Sequence, residues 1–334
     1  MIAKKDEIKK LQNEIFDINY CEEFNEISLK IFQYQADNNP VYSNFLQQLK
    51  IKKEDIKNIK EIPFLPIEFF KTQKVICQNE SVDIIFESSG TTSLQKSLHY
   101  ITDVALYEKS FINCFTLFYG NPYNYNILAL LPSYLENNSS SLIYMIDKLI
   151  KLSHSPYSGF FLHNTDDLYN TLNKLQNDDK TTILFGVSYA LLDFAEKYKP
   201  DLHNMIVMET GGMKGRKKEL IRKELHYLLC SYFKVSKIHS EYGMTELNSQ
   251  AYSKGDEIFS CPPWMRMFIR DTDDPLSELK DNGQGVLNII DLANIYSCSF
   301  IATQDLCEII TDNNFKILGR TDSSEIRGCN QLII

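Results

Sequence analysis

Between residues 81 and 257 the chain alternates two kinds of segment. "NILALL" precedes "SLIYMIDKLIKL", "TTILFGV" precedes "YALLDFAEKY", and "NMIVMET" precedes "KKELIRKELHYLLCSYF". The first member of each pair is a short apolar, β-prone run; the second is longer and has helical periodicity. Antiparallel neighbours need only a tight turn, whereas parallel neighbours need a crossover, usually a helix. The alternation therefore predicts an α/β core with a mainly parallel sheet flanked by helices on both faces. "VDIIF" reads as a further strand, followed by a helix near 104–118. In the helix after "NMIVMET", Ile221, Leu225, Leu228 and Leu229 are expected to form the buried face.

The flanking regions differ. In residues 1–80, Ile8, Leu11 and Ile15 repeat at helical spacing. "EIPFLPIEFFKT" carries Pro63 and Pro66 among large apolar residues, and reads as an extended segment clamped onto the core. From 258 to 334 the runs "MRMFIRD", "GVLNIID", "SFIAT", "CEIIT" and "FKILGR" predict an antiparallel meander or a small barrel. This gives three parts: a helical segment 1–80, an α/β core 81–257, and a β-rich subdomain 258–334.

A formal charge of −9 argues against a nucleic-acid surface. No apolar run approaches the ~18 residues of a membrane span. The N-terminus "MIAKKDEIKKLQNEIF" lacks the apolar core of a signal peptide, so a cytoplasmic protein is expected. Eight cysteines form no CxxC and no zinc-ligand spacing, and are expected to be reduced thiols.

The chemistry gathers in short motifs. "FESSGTTSLQKS" (Phe86–Ser97) sets Ser88, Ser89, Gly90, Thr91, Thr92 and Ser93 in a row, with Lys96 close behind. Backbone N–H groups and hydroxyls in such a loop can form an anion nest at the end of a strand. Alone, it reads as a polar turn sooner than as a site, and GxxxxGK[ST] does not fit because no Gly precedes Lys96. "METGGMKGR" places Gly211 and Gly212 after a strand, where a flat ligand can approach the backbone. "SEYGMTELN" places Tyr242, Thr245 and Glu246 on a loop: an aromatic for stacking, a hydroxyl for phosphate, a carboxylate for Mg²⁺. "ATQDL" and "LGRTDSSEIRG" add Asp305, Arg320 and Asp322. Singly each is weak, since a Tyr-Gly pair is usually a turn and a surface charge is usually solvated.

In order, the set resembles the adenylate-forming superfamily of acyl-CoA synthetases, luciferases and peptide-synthetase adenylation domains. Ser89–Ser97 is similar to the phosphate loop [ST]SGTTGxPKG, with Ser93, Gln95 and Ser97 in place of Gly, Pro and Gly. YGxTE is intact as Tyr242, Gly243, Met244, Thr245 and Glu246; TGD is Thr303-Gln304-Asp305; the GRxD hinge is Gly319-Arg320-Thr321-Asp322. More narrowly, "IPFLPIEFFK", "LLPSYLENNSSSLIYMID", "ETGGMKGR", "EYGMTELNSQAY" and "CPPWMRMFIRD" resemble the acyl-protein synthetase family, the long-chain-fatty-acid–luciferin-component ligases, from about residue 5 to the C-terminus.

The resemblance implies an adenylate-forming large N-terminal domain without the small C-terminal lid. It implies ATP and Mg²⁺, and activation of a carboxylic acid, expected to be fatty, as an acyl-adenylate. Ser88, Ser89, Gly90, Thr91, Thr92 and Lys96 would hold the β/γ-phosphates, Thr245 the α-phosphate and Glu246 the metal. Gly211, Gly212, Tyr242 and Gly243 would frame adenine, Asp305 would accept from the ribose hydroxyls, and Arg320 would contact ribose or phosphate. The acyl group would pass to Cys329, whose neighbour Arg327 favours the thiolate, and then to a partner such as an acyl reductase. Direct transfer to CoA or a carrier protein is the alternative, as is a non-catalytic acyl- or nucleotide-binding partner of a reductase. No residue matches the lid lysine; Lys214 and Arg216 are the nearest basic candidates, or equally a solvated loop. "LPSYLENNSSS" and "FGVSYALL" are expected to line the acyl pocket, and Pro262-Pro263-Trp264 to wall it or to form a turn.

Overall fold

The computed structural model describes residues 2–78, 80–89, 95–133, 135–211, 220–272, 274, 276–277 and 279–321. The chain divides into two compact units. The first holds the chain through Cys114 with Met244–Gln250 and Cys261–Thr321; the second holds residues 115–243 and 251–260.

The second unit carries the mainly parallel sheet expected of the α/β core, while residues 81–114 and 244–250 of the expected core stretch belong to the first unit. Strands Gly159–Phe160, Tyr125–Leu130, Thr181–Val187, Ile206–Thr210 and His239–Tyr242 lie side by side in that order, all parallel. Ala251–Ser253 and Phe259–Ser260 extend the sheet antiparallel. Helices Ser141–Ser153, Thr165–Lys174, Ser188–Tyr198 and Arg222–Phe233 alternate with the parallel strands. Residues Ile127–Leu131 and Thr182–Val187 are buried throughout, as strands covered on both faces must be. Gly186 permits this packing: a Cβ there would lie 3.0 Å from Leu130 Cβ and 3.0 Å from Leu191 Cγ. Ser140 caps the helix Ser141–Ser153, which buries Ile143, Met145, Ile146 and Leu149.

One helical face differs from the expectation. Arg222–Phe233 buries Leu225, Leu229 and Phe233, while Ile221 is 37% exposed. Ile221 precedes the helix in an extended conformation, so it falls outside the helical period, and Leu228 is only half-buried.

In the first unit, Met265–Arg270, Gly283–Asp291, Phe300–Thr311 and Asn314–Arg320 form an open antiparallel meander. "SFIAT" and "CEIIT" belong to one strand of 12 residues, continuous through Gln304 and Asp305. A register shift at Leu306/Cys307 absorbs the interruption. Leu65–Pro66 joins that strand in parallel, Leu65 opposite Ile301, so the Pro-rich segment is extended there; its end, Phe69–Thr72, is a short helix, against the expectation of an extended segment throughout. Pro66 sits on this short edge strand, where a missing N–H is tolerated.

A second correction concerns "VDIIF". Ile84–Glu87 pairs antiparallel with Leu98–Ile101 as a two-stranded hairpin, and the helix Val104–Tyr119 follows only after the return strand. The loop "SSGTTS" therefore joins a hairpin and does not cap a strand of the parallel sheet. The return strand is four residues long and half polar, too short to announce itself by period.

The N-terminal helices pack on this unit. Ile8, Leu11 and Ile15 are buried, and Cys21–Asn38 buries Phe24, Ile27, Ile31 and Phe32. Gln35, fully buried, donates to the carbonyls of Asn294 (3.0 Å) and Ile295 (2.9 Å) and accepts from Ser299 N (3.0 Å). Asn39 donates to the Ser297 carbonyl at 2.9 Å.

Asp291 ties the meander to Met244–Gln250. It is fully buried and accepts from Asn248 N (2.8 Å), Ser249 N (3.0 Å), Ser249 Oγ (2.6 Å) and Ala293 N (3.2 Å). Trp264 Nε1 donates to the same Ser249 hydroxyl at 3.0 Å, and Phe16 meets the Trp264 ring edge-on at 5.0 Å, so Trp264 is an anchor of the first unit. Among the described residues no helix is long and apolar enough to cross a membrane.

Removing the Asp291 carboxylate strands several buried donors. Asp291→Ala is expected to lose about 4 kcal/mol of stability, measured as the shift in urea midpoint; a loss below about 1 kcal/mol would contradict the hub role.

Candidate functional site

In the first unit the hairpin and the Met244–Gln250 segment meet. Ser88 N donates to the Ser97 carbonyl at 3.0 Å, and Ser97 N donates to Ser88 Oγ at 2.9 Å. These bonds close the base of the "SSGTTS" loop. Along the return segment Ser97, His99 and Ile101 are buried in alternation, the period of a strand with one covered face. Ser97 stands beside the Glu246 carboxyl. His99 Nδ1 lies 2.8 Å from the Thr245 carbonyl, and His99 Nε2 lies 3.0 Å from Asn294 Oδ1. Asn294 Nδ2 donates to the Glu246 carbonyl at 2.8 Å.

Glu246 is buried at 5% exposure. Burial raises its pKa; the Ser97 hydroxyl and the charges of Arg320 and Lys71 oppose the rise. Among the described residues no three His, Cys, Asp or Glu side chains cluster as a metal site. A lone desolvated carboxylate still fits Mg²⁺, which commonly takes one or two protein carboxylates and fills the rest of its shell with phosphate oxygens and water.

The other expected residues of this unit are placed as follows. Lys96 Nζ pairs with Glu87 at 2.9 Å, both partly exposed, beside the loop base. Ser89 is exposed. Asp305 and Arg320 are cross-strand partners, with Arg320 Nε 3.4 Å from Asp305 Oδ1. Thr303 Oγ1 accepts from Asp305 N at 3.1 Å and donates to the Leu287 carbonyl at 2.8 Å. Gly90, Thr91, Thr92, Gly212, Lys214, Arg216 and Cys329 lie outside the described residues.

The second unit carries a polar group at the carboxyl ends of its parallel strands, where such sheets bind ligands. Strand order reverses at Tyr125–Leu130, and the stretches "LPSYLENNSSS" and "FGVSYALL" leave the ends of that strand and its neighbour Thr181–Val187. Ser188 Oγ lies 2.9 Å from Glu209 Oε2 and 2.7 Å from the Gly211 carbonyl. Gly211 has φ +68°, a left-handed conformation favouring glycine. Glu209 is 1% exposed, with Arg222 Nε at 3.4 Å and His226 Nε2 at 3.5 Å from its Oε1. Burial pushes the Glu209 carboxyl up, but the Arg222 and His226 charges outweigh it and hold its pKa low. Tyr242 ends the strand His239–Tyr242 instead of lying on a loop; it is 9% exposed and edge-on to Phe259 at 5.9 Å. Gly243 is exposed.

Sequence reading missed His99, Asn294, Asp291, Glu209 and Glu241. Glu209 and Glu241 lay inside quoted motifs, and a charge ending a buried strand was their available signal. Nothing local marked His99 or Asn294. Cys77, Cys114, Cys261, Cys298 and Cys307 are buried, Cys230 is half-buried and Cys21 exposed.

Solved structures identify the fold as that of the adenylate-forming ligases. An open conformation of 2-hydroxyisobutyryl-CoA ligase, in complex with 2-HIB-AMP and CoA, superposes with a TM-score of 0.68 at 11% identity, over 92% of this chain and 72% of that one. The o-succinylbenzoate CoA synthetase (MenE) from Bacillus subtilis gives 0.51 at 15% identity, over 73% and 50%. AtGH3.15 acyl acid amido synthetase gives 0.50 at 12% identity, over 94% and 70%. The family model "Acyl-protein synthetase, LuxE" matches residues 12–333, and the chain belongs to that family. A search of curated proteins returned no match.

Glu241 supplies a pH test. It is buried and accepts from Thr210 Oγ1. Burial lifts its carboxyl from the ordinary 4.5 to about 7; Thr210 opposes the rise and the Glu209 charge adds to it. The folded state therefore holds this proton more tightly than the unfolded chain. Its contribution to stability is full below pH 4.5 and declines as pH rises to about 7, by at most about 1.4 kcal/mol per pH unit. Glu241→Gln is expected to flatten that part of the urea-midpoint profile; an unaltered slope would assign it to another group.

Proposed function

We propose that the protein is an ATP-dependent acyl-protein synthetase. It activates a fatty carboxylic acid as acyl-adenylate, transfers the acyl group to the thiol of Cys329, and then hands it to a partner, an acyl reductase. The observation that carries this reading is the family match over residues 12–333. It is supported by the seating of Glu246 between Ser97 and Asn294 in the first unit.

In the first half-reaction a carboxylate oxygen attacks the α-phosphorus of ATP. A new P–O bond forms, the α–β anhydride bond breaks, and pyrophosphate leaves. Two anions must approach, so fixed donors and positive charge set the rate. Ser88, Ser89, Gly90, Thr91, Thr92 and Lys96 are assigned to the β/γ-phosphates, and Thr245 to the α-phosphate. Glu246 would hold Mg²⁺, which supplies charge neutralisation when bound. Asp305 and Arg320 are assigned to the ribose side. In the second unit, Gly211, Gly212, Tyr242 and Gly243 are assigned to adenine. In the second half-reaction the Cys329 thiolate attacks the acyl carbonyl, a C–S bond forms and AMP leaves. The absence of a membrane-crossing helix among the described residues is compatible with a cytoplasmic setting.

Hand-over directly to CoA is a second reading, because CoA ligases are among the structures that share the fold. Fatty-acid-dependent ATP–pyrophosphate exchange, with intact-mass detection of a thioester, separates the two. Wild type is expected to show both, and Glu246→Gln to lose roughly a hundredfold in exchange. Cys329→Ser is expected to keep exchange and lose the adduct. A Cys329→Ala variant with full thioester output to CoA would favour the second reading, and ATP binding without exchange for any acid would defeat both.

A further inference from the structure

We infer that His99 is a positioning residue, which with Asn294 fixes the backbone at Thr245 and Glu246 and so aims their side chains. The placement is unusually constrained. His99 is 1% exposed and meets the Phe70 ring edge-on at 5.7 Å, which sets the plane of the imidazole. One nitrogen faces the Thr245 carbonyl at 2.8 Å, and the other faces Asn294 Oδ1 at 3.0 Å. The Asn294 orientation is not free. Its amide nitrogen is committed to the Glu246 carbonyl at 2.8 Å, so its oxygen is what His99 meets. Asn294 itself ends the short helix Leu292–Asn294, whose start is held by Asp291 and whose last carbonyl accepts from Gln35. Two residues before His99, on the same buried face, Ser97 stands beside the Glu246 carboxyl. One face of the return segment thus lies against both the backbone and the side chain of the Thr245-Glu246 pair.

Both contacts of the ring end on acceptors. A carbonyl oxygen can only accept, so each ring nitrogen is asked to donate. Burial lowers the His99 pKa to about 4, so at neutral pH the ring is uncharged and donates from one nitrogen only. A side-chain amide can replace one of these contacts. The Asn amide nitrogen sits near the place of Nδ1 and can serve Thr245; the Gln amide nitrogen sits near that of Nε2 and can serve Asn294. A purely space-filling role would be served by Leu instead. These substitutions therefore separate hydrogen bonding from packing.

The catalytic consequence rests on the adenylation reading above; the positional claim does not. The test compares wild type, His99→Asn, His99→Gln and His99→Leu. Hydrogen exchange of the backbone amides at 244–248 is read by mass spectrometry, and fatty-acid-dependent pyrophosphate exchange is resolved into kcat and the KM for ATP. His99→Leu is expected to exchange faster at 244–248 while keeping a cooperative unfolding transition. It should lose kcat by roughly tenfold to a hundredfold with the ATP KM within about threefold. At least one amide variant should recover both readouts to within about threefold of wild type. If His99→Leu matches wild type in both readouts, or if neither amide variant outperforms Leu, the inference is overturned. If wild type shows no acid-dependent exchange, the adenylation reading fails, and the hydrogen-exchange comparison alone decides the role of His99.

Discussion

A carboxylate with no exposed surface has to be answered donor by donor, and Asp291 is answered by Asn248, Ser249 and Ala293. The backbone after Glu246 and the short helix that ends in Asn294 hang from the same two oxygens. Ser249 passes the constraint outward, because its hydroxyl also meets Trp264 Nε1 and the Ser110 hydroxyl. Gln35 closes the other side by holding the carbonyls of Asn294 and Ile295. A buried polar network is rigid only when its members are satisfied together. The N-terminal helices are thus part of the apparatus that seats Glu246, although none of their residues belongs to a recognised motif.

The two units solve polar burial differently. In the first, the carboxylate of Asp291 is satisfied mainly by neutral N–H and O–H donors. In the second, Glu209 meets the Arg222 guanidinium and the His226 ring and Glu241 meets neither, so their pKa values move in opposite directions on adjacent parallel strands. The contrast has one cause: the helix Arg222–Phe233 presents Arg222 and His226, one turn apart, to Glu209. Glu241 is left with a threonine hydroxyl and a like charge.

Much of this was legible in the sequence, for identifiable reasons. The parallel strands showed because burial on both faces demands unbroken apolar runs, as in "TTILFGV". The meander showed through its β-prone runs, and the extended part of the Pro-rich segment through its two prolines, while the short helix Phe69–Thr72 at its end did not show. The motif order pointed to the family because each motif is compact in sequence. What stayed hidden is non-local. His99 lies 146 residues from Thr245 and 195 from Asn294, and no local period can announce such a partner. The hairpin stayed hidden because its return strand is four residues long. Ile221 misled because it sits where a helical period would put it but precedes the helix.

Ser97 stands where related phosphate loops carry glycine, yet its backbone closes the hairpin against Ser88 and its side chain stands beside Glu246. The hairpin base is thus secured by two serines outside the loop's centre. That arrangement separates two kinds of selection. Ser88 and Ser97 answer to each other, whereas the positions proposed for phosphate answer to the ligand. Sequence change at the two ends of the loop should therefore be correlated.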